Sequence, residues 1–259
     1  TLAIGVLTIA GMAQAGTVTD VTVYPSQAMG TVLGDTTTSG PGYGTSSWKN
    51  GATSGSNKGE FYISAIQLFG FAPTIAQIES ISYMTDNPDA AIYNWSLYLY
   101  TNQQATGNSA GWYRSRLTAE PYFVADYSLT EAQNNWVTWS TDDPNQPLRF
   151  YDGNRMGDGT PNNYNGSYTD PLFSEFQAGP VAVHSGTWDY SSETIKYFSL
   201  QVGSAWASSY RGNLDGLNIK LTNGDQARVN FEAATPEPAA AVLSALPLGL
   251  WLILKRRRW

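Results

Sequence analysis

The feature that most constrains this chain is a strict two-residue alternation near its end. Leu217, Ile219 and Leu221 alternate with Asn218, Lys220 and Thr222. After Asn223-Gly224, the residues Ala227, Val229 and Phe231 alternate with Arg228, Asn230 and Glu232. Successive side chains of a strand point to opposite faces, so each run has one apolar and one polar face. Asn-Gly tolerates the positive φ angles of a tight turn. The expectation is a hairpin closed by a two-residue turn, with one face on a core and the other in water.

Similar short runs, punctuated by Gly, Pro, Asn, Asp and Ser, fill the middle of the chain. Candidate strands are Val18–Tyr24, Glu60–Phe69, Ser80–Thr85, Tyr93–Tyr100, Arg114–Phe123, Trp136–Ser140, Val181–His184, Ile195–Val202, Leu217–Leu221 and Ala227–Phe231. A helical 3.6-residue period is almost absent. Short, regularly spaced strands predict an all-β chain folded as an antiparallel β-sandwich. Sixteen Tyr and nine Trp agree, because flat rings fit a pleated surface. Gly34–Gly59 and Thr141–Asp170 are expected to be long loops. Asp170-Pro171 can cap a short helix ending near Gly179, with Leu172 and Phe176 on one face.

Two terminal segments do not share this pattern. Leu2–Ala10 is apolar, and Ala13-Gln14-Ala15 reads as a signal-peptidase site with cleavage before Gly16. With neither an initiator Met nor a basic n-region, the sequence is expected to begin inside a longer signal peptide. At the other end, Pro236-Glu237-Pro238 is followed by the apolar run Ala239–Leu254 and then by Lys255, Arg256, Arg257 and Arg258. The two prolines keep the first part extended. As a helix the apolar run rises about 24 Å, somewhat less than a ~30 Å hydrocarbon core, and snorkelling cations can close the difference. The expectation is a transmembrane helix whose basic end stays cytoplasmic, with the body outside the inner membrane. Residues 16–234 form that body, a length that suits one sandwich or barrel, or two small domains.

Charge and cysteine content narrow the function classes. Without cysteine there is neither a disulfide framework nor thiol chemistry. Outside 235–259 there are ten cations and twenty acids, so the body carries about −10. Such a surface repels nucleic acid and strongly anionic glycans.

The order Pro-Glu-Pro, apolar segment and arginine cluster resembles the PEP-CTERM sorting tail of Gram-negative bacteria. That resemblance implies recognition by exosortase, a membrane-embedded cysteine transpeptidase, and cleavage near Pro236-Glu237-Pro238. The body motifs are Arg116-Leu117-Thr118-Ala119-Glu120-Pro121-Tyr122, Trp136-Val137-Thr138-Trp139, Gly212-Asn213-Leu214-Asp215-Gly216-Leu217 and Phe231-Glu232. They resemble secreted bacterial jelly-roll proteins often joined to such anchors. This second resemblance implies a jelly-roll-like sandwich and no established activity.

Catalytic constellations are poorly formed. Gly107-Asn108-Ser109-Ala110-Gly111 matches G-x-S-x-G, but a polar stretch precedes it and a strand pattern follows, where the motif needs a buried strand and then a helix. The only histidine, His184, comes before Asp189 and Asp215, which is not the hydrolase order. It also has no second His or Cys to share a metal. Asp152–Asp158 begins like a calcium loop, but Met156 stands at a ligand position and Asn163 where a bidentate Glu is required. A looser structural calcium site could draw on Asp142, Asp143, Asp152 or Asp158. Glu120 could serve a glycosidase only with a second carboxyl group about 5–10 Å away, and no obvious partner exists. The alternative is a structural Glu120, bonded to Arg116 or to a backbone group.

Aromatic residues in or beside loops are the remaining signal: Trp48, Trp112, Tyr113, Trp188, Tyr190, Trp206 and Tyr210. Flat rings can stack on sugar faces. Trp112 and Trp188, each beside a Gly- or Ser-rich turn, and Tyr190 are the candidate glycan-binding residues. The expected protein is an exported, non-enzymatic cell-surface or biofilm-matrix β-sandwich that binds exopolysaccharide. Alternatives are a self-associating structural surface protein and a polysaccharide-active glycosidase. No cofactor and no catalytic residue is expected.

Overall fold

Alternation fixes which face of each strand is apolar, and long-range pairing then decides which faces meet. The computed structural model describes residues 16–51, 58–88, 94–102, 113–124, 134–153, 166–183, 186–202 and 210–234. In chain order these contain β1 (Val18–Val23), β2 (Met29–Gly30), β3 (Val32–Asp35), β4 (Ser47–Asn50), β5 (Gly59–Ser64), α1 (Ala65–Phe69), β6 (Ile78–Asp86), β7 (Ser96–Tyr100), β8 (Arg116–Ala119), β9 (Trp136–Ser140), β10 (Tyr151–Asp152), α2 (Phe173–Ala178), β11 (Pro180–Val183), β12 (Gly186–Asp189), β13 (Tyr197–Val202), β14 (Asn213–Leu221) and β15 (Gln226–Phe231).

One sheet is centred on β14. Along one edge β14 pairs with β6, which pairs in turn with β9. Its other edge is shared, with β4 beside residues 213–214 and β15 beside residues 217–220. Beyond these lie β3 and β1. The second sheet runs β10-β8-β7-β13-β5-β2 and is antiparallel throughout. A separate hairpin joins β11 and β12. The described residues therefore form an all-β sandwich. One departure from a purely antiparallel pattern is the β1–β15 pair, which is parallel. Thr17, just before β1, is held by Asp225, whose Oδ1 accepts its N–H at 2.7 Å.

The core lies between the sheets. Trp48 and Phe231 from the first sheet meet Phe61 from the second, edge to face, with centroid separations of 4.9 to 5.4 Å. All three are buried, along with Tyr83, Trp95, Leu97, Leu99, Phe198, Leu200, Leu217 and Ile219. Buried rings satisfy their polar ends, as they must. Trp48 Nε1 donates to the Glu232 carbonyl, Trp95 Nε1 to the Gly212 carbonyl, and Tyr83 Oη to the Trp95 carbonyl.

Several expectations need correction. The run expected as a strand over Glu60–Phe69 turns helical at Ala65, because Ser64 Oγ accepts the Gln67 N–H while Gln67 Oε1 accepts the Ser64 N–H. The Arg114–Phe123 run stops at Ala119, since Pro121 cannot donate to a ladder and starts a 3₁₀ turn. Within the loop expected over Gly34–Gly59, residues 47–50 form β4, and Trp48 there is core. The short helix forms, but Glu175 Oε1 caps the Leu172 N–H, and the buried face is Phe173 and Phe176. The last hairpin closes through three residues rather than two: Lys220 pairs with Gln226, Leu221 N donates to the Asp225 carbonyl, and Gly224 sits at φ +92°. That is the turn in which the glycine takes the left-handed position.

Among the described residues no helix is long and apolar enough to cross a membrane. Residues 1–15 and 235–259, with Ala13, Ala15, Pro236, Glu237, Pro238, Lys255, Arg256, Arg257 and Arg258, lie outside the described residues.

Candidate functional site

The outer face of the second sheet carries tyrosines at positions where a water-facing strand residue is usually small or charged. Tyr62 on β5 and Tyr98 and Tyr100 on β7 occupy the polar phase of strands whose other phase is Phe61, Ile63, Leu97 and Leu99. Between β5 and β7 lies β13, which presents Tyr197, Ser199 and Gln201 on the same face. Pairing thus sets Tyr62 opposite Ser199, Ser199 opposite Tyr98, and Tyr197 opposite Tyr100. Tyr113, just before β8, packs edge-on against both Tyr100 and Tyr197, with centroids 5.1 and 5.8 Å away. Its base is anchored by buried Glu193, which accepts from Thr101 Oγ1 at 2.7 Å and pairs with Arg114 at 3.5 Å.

Tyr62, Tyr100, Tyr113 and Tyr197 line a groove of about 510 Å³. Its floor is polar. Gln201 Nε2 donates toward Tyr62 Oη and Tyr100 Oη, each at 3.0 Å, and toward Ser199 Oγ at 2.8 Å. Burial pushes the pKa of Tyr62, Tyr98 and Tyr113 up, so their hydroxyls stay protonated and remain donors. Of the charged lining, Lys58 pairs with Glu60 at 3.5 Å, and Arg116 donates to the Gly153 carbonyl at 3.1 Å with its guanidinium 5.9 Å from the Tyr98 ring centre. The result is a wall of ring faces and hydroxyls. It can lie against a flat molecule that has apolar C–H faces and hydroxyl edges.

The two carboxylates on this face are badly placed for hydrolysis. Glu60 is opposite Gln201, Gln201 opposite Ser96, and the β7–β8 register puts Glu120 next in that row. Three strand spacings separate the backbones of Glu60 and Glu120, about 14 Å. Glu120 turns away from Glu60, accepting from Tyr151 Oη on β10 at 2.5 Å. Burial raises its pKa, while this hydrogen bond partly offsets that. Glu120 is therefore bonded to a tyrosine, not to Arg116.

The other candidate residues fall elsewhere. Tyr190 is wholly buried: its ring packs edge-on against Phe176 at 5.0 Å and its hydroxyl donates to Asp152 Oδ2 at 3.2 Å. Its assignment to a glycan surface is corrected to core. Trp188, paired with Val181 across the β11–β12 hairpin, is half-buried against the core. Trp48 and Tyr210 are core, and of the loop aromatics in the described residues Tyr113 reaches the groove. Trp112, Trp206, His184 and Gly107–Gly111 lie outside the described residues.

The acids proposed for calcium serve the fold. Asp143 Oδ1 accepts the N–H groups of Asn145 and Gln146, and Asp142 accepts from Ser140 Oγ. Asp152 accepts from the Arg116 N–H and from Tyr190. Among the described residues no three His, Cys, Asp or Glu side chains converge as a metal site, and Asp158 lies outside them.

The motif residues Asp215 and Glu232 stitch the first sheet together. Asp215 accepts the N–H groups of Gly40, Gly216 and Phe231, and Glu232 accepts from Thr45, Asn230 and Ser46. Both hold the segment between β3 and β4 over the outer face of that sheet. Burial pushes the Asp215 pKa up to about 6, although three hydrogen bonds to its charged form oppose the shift.

The groove was not identified from sequence. The available signal was an aromatic residue in the polar phase of an alternating run, as in Tyr98-Leu99-Tyr100 and Phe61-Tyr62-Ile63. Comparison of the chain with family models, curated proteins and solved structures returns no match.

Proposed function

We propose that the chain is an exported surface or matrix protein of a Gram-negative bacterium whose tyrosine groove binds a neutral polysaccharide without cleaving it. The observation that carries the binding reading is the groove itself: three tyrosine rings on neighbouring strands and a fourth, Tyr113, just before β8, arranged around a glutamine that holds two of their hydroxyls. A ring stacked on a sugar buries apolar C–H surface worth about 1–3 kcal/mol, so one site binds in the millimolar range. Retention on a matrix then depends on many copies displayed together. An acidic body repels strongly anionic glycans, which favours an uncharged one.

The sequence ends supply the location. Ala13 and Ala15 mark signal-peptidase cleavage, the 239–254 run is a transmembrane helix in the precursor, and Pro236-Glu237-Pro238 is the exosortase motif. On this reading the sandwich is jelly-roll-like, and it is released to the surface or matrix once both ends are removed.

Affinity electrophoresis of the full chain through gels containing a β-glucan, a galactomannan or a xylan tests the binding reading. Retardation by at least one gel is expected, with Tyr62→Ala and Tyr197→Ala weakening it several-fold. Unretarded wild type in all three gels would remove the proposal, and release of reducing sugar would replace it with an enzyme.

A further inference from the structure

Resting on the groove reading above, we infer that Gln201 sets which sugars the groove accepts, by taking a hydrogen bond from a free sugar hydroxyl. The side chain is 6% exposed and lines the groove. Three hydroxyl oxygens lie within 3.0 Å of its Nε2, and an amide nitrogen can only donate. This directs the amide's two N–H groups toward Tyr62, Tyr100 and Ser199. The carbonyl Oε1 therefore faces the other way, and among the described residues no protein group donates to it. An amide carbonyl so enclosed opens only onto the groove that its side chain lines.

The same bonds fix the neighbouring tyrosines. Tyr62 Oη and Tyr100 Oη, which both accept from Gln201, also share a hydrogen bond with each other. The rings are 5.7 Å apart between centroids, so their hydroxyls crowd around the amide. The floor then offers a carbonyl acceptor. A sugar hydroxyl can donate to it. A methyl ether, an ester oxygen or a carboxylate only accepts, and would leave Oε1 buried without a donor. A site built to bond a hydroxyl rejects analogues that lack its proton, because the unpaired group on the protein bears the cost. The preferred ligand is therefore a neutral polysaccharide unsubstituted at the contacted hydroxyl.

The test compares the full chain on whichever of the β-glucan, galactomannan and xylan retards it most with the O-methylated form of that polysaccharide. Wild type should bind the methylated form about tenfold more weakly, the scale of one lost hydrogen bond. Gln201→Leu should bind both forms equally, at the weaker level. Gln201→Glu keeps an acceptor and should keep the preference for free hydroxyls, so the inference stays testable if the leucine variant folds poorly. Melting temperatures control for folding. Equal wild-type affinity for both forms overturns the inference; if Tyr62→Ala still weakens binding several-fold, the groove reading survives alone. Failure of wild type to bind any of the three polysaccharides overturns both.

Discussion

Phe231 donates its backbone N–H to Asp215 Oδ1 at 3.1 Å, tying the last core strand to a carboxylate buried at a bulge in its neighbour. Burial raises that carboxyl to about pH 6, above its ordinary value of 3.8. Between those values the folded state binds more protons than the unfolded chain, so this group's contribution to stability falls as pH rises through the window. The span of two pH units sets a ceiling on the order of 3 kcal/mol. Asp215→Asn should lower the melting temperature at pH 4, where the wild-type group is protonated. It should also flatten the stability profile between pH 4 and pH 6 relative to wild type. Asp35, Asp189, Asp225 and Glu232 have lowered pKa values and act in the opposite direction, so the difference between the two proteins is the informative quantity. Identical slopes in urea titrations of both would refute the assignment.

Gly216 follows Asp215 within the same bulge, at φ +63°. A Cβ there would sit 2.5 Å from Met84 Cε and 2.6 Å from the Tyr43 ring. Tyr43 belongs to the segment that crosses this face, so Gly216→Ala should loosen that segment as well as strain the backbone. The expected cost is about 1–3 kcal/mol. Hydrogen exchange at the Gly40 N–H, which is bonded to Asp215 Oδ2, should speed up together with the loss of stability.

Processing is predicted from the ends alone. The surface form should lack residues up to Ala15 and most of 239–254 together with the basic end. Intact-mass measurement of the extracellular protein decides it. A mature form that retains Lys255 and the arginines in cells with a working exosortase would contradict the sorting reading.

Local pattern made the strands legible, while long-range pairing stayed hidden. Leu217–Leu221 and Ala227–Phe231 were readable because they are close in sequence and both alternate cleanly. Trp48 was not, since a four-residue strand among glycines and serines has too little alternation to announce itself. Its burial depends on Phe61 and Phe231, which lie far away in sequence. The groove was hidden for the same reason. Each strand reveals only that Tyr62, Tyr98 or Tyr197 is out of phase with its apolar neighbours. That β13 inserts between β5 and β7 follows from contacts spanning about a hundred residues or more. Sequence favoured loop aromatics for binding, yet Tyr190 proved to be core because Asp152 could satisfy its hydroxyl inside the fold.

Trp188 and Tyr197 separate a structural ring from a binding ring. Trp188 lies half-buried on β12, packed against the core opposite Val181. Tyr197 stands on the outer face of β13, contacting Tyr113 across the groove. Truncating a partly buried tryptophan removes apolar area and leaves a cavity that its surroundings fill incompletely, at a cost of about 2–3 kcal/mol. Truncating Tyr197 removes a ring from a solvent-facing wall and costs under about 1 kcal/mol. Trp188→Ala should therefore lower the melting temperature by several degrees while leaving retention in a polysaccharide gel unchanged at temperatures where it is folded. Tyr197→Ala should do the converse, melting close to wild type and losing several-fold in retention. The opposite pairing, with Trp188→Ala stable but no longer retained, would move the binding surface from the sheet face to the β11–β12 hairpin.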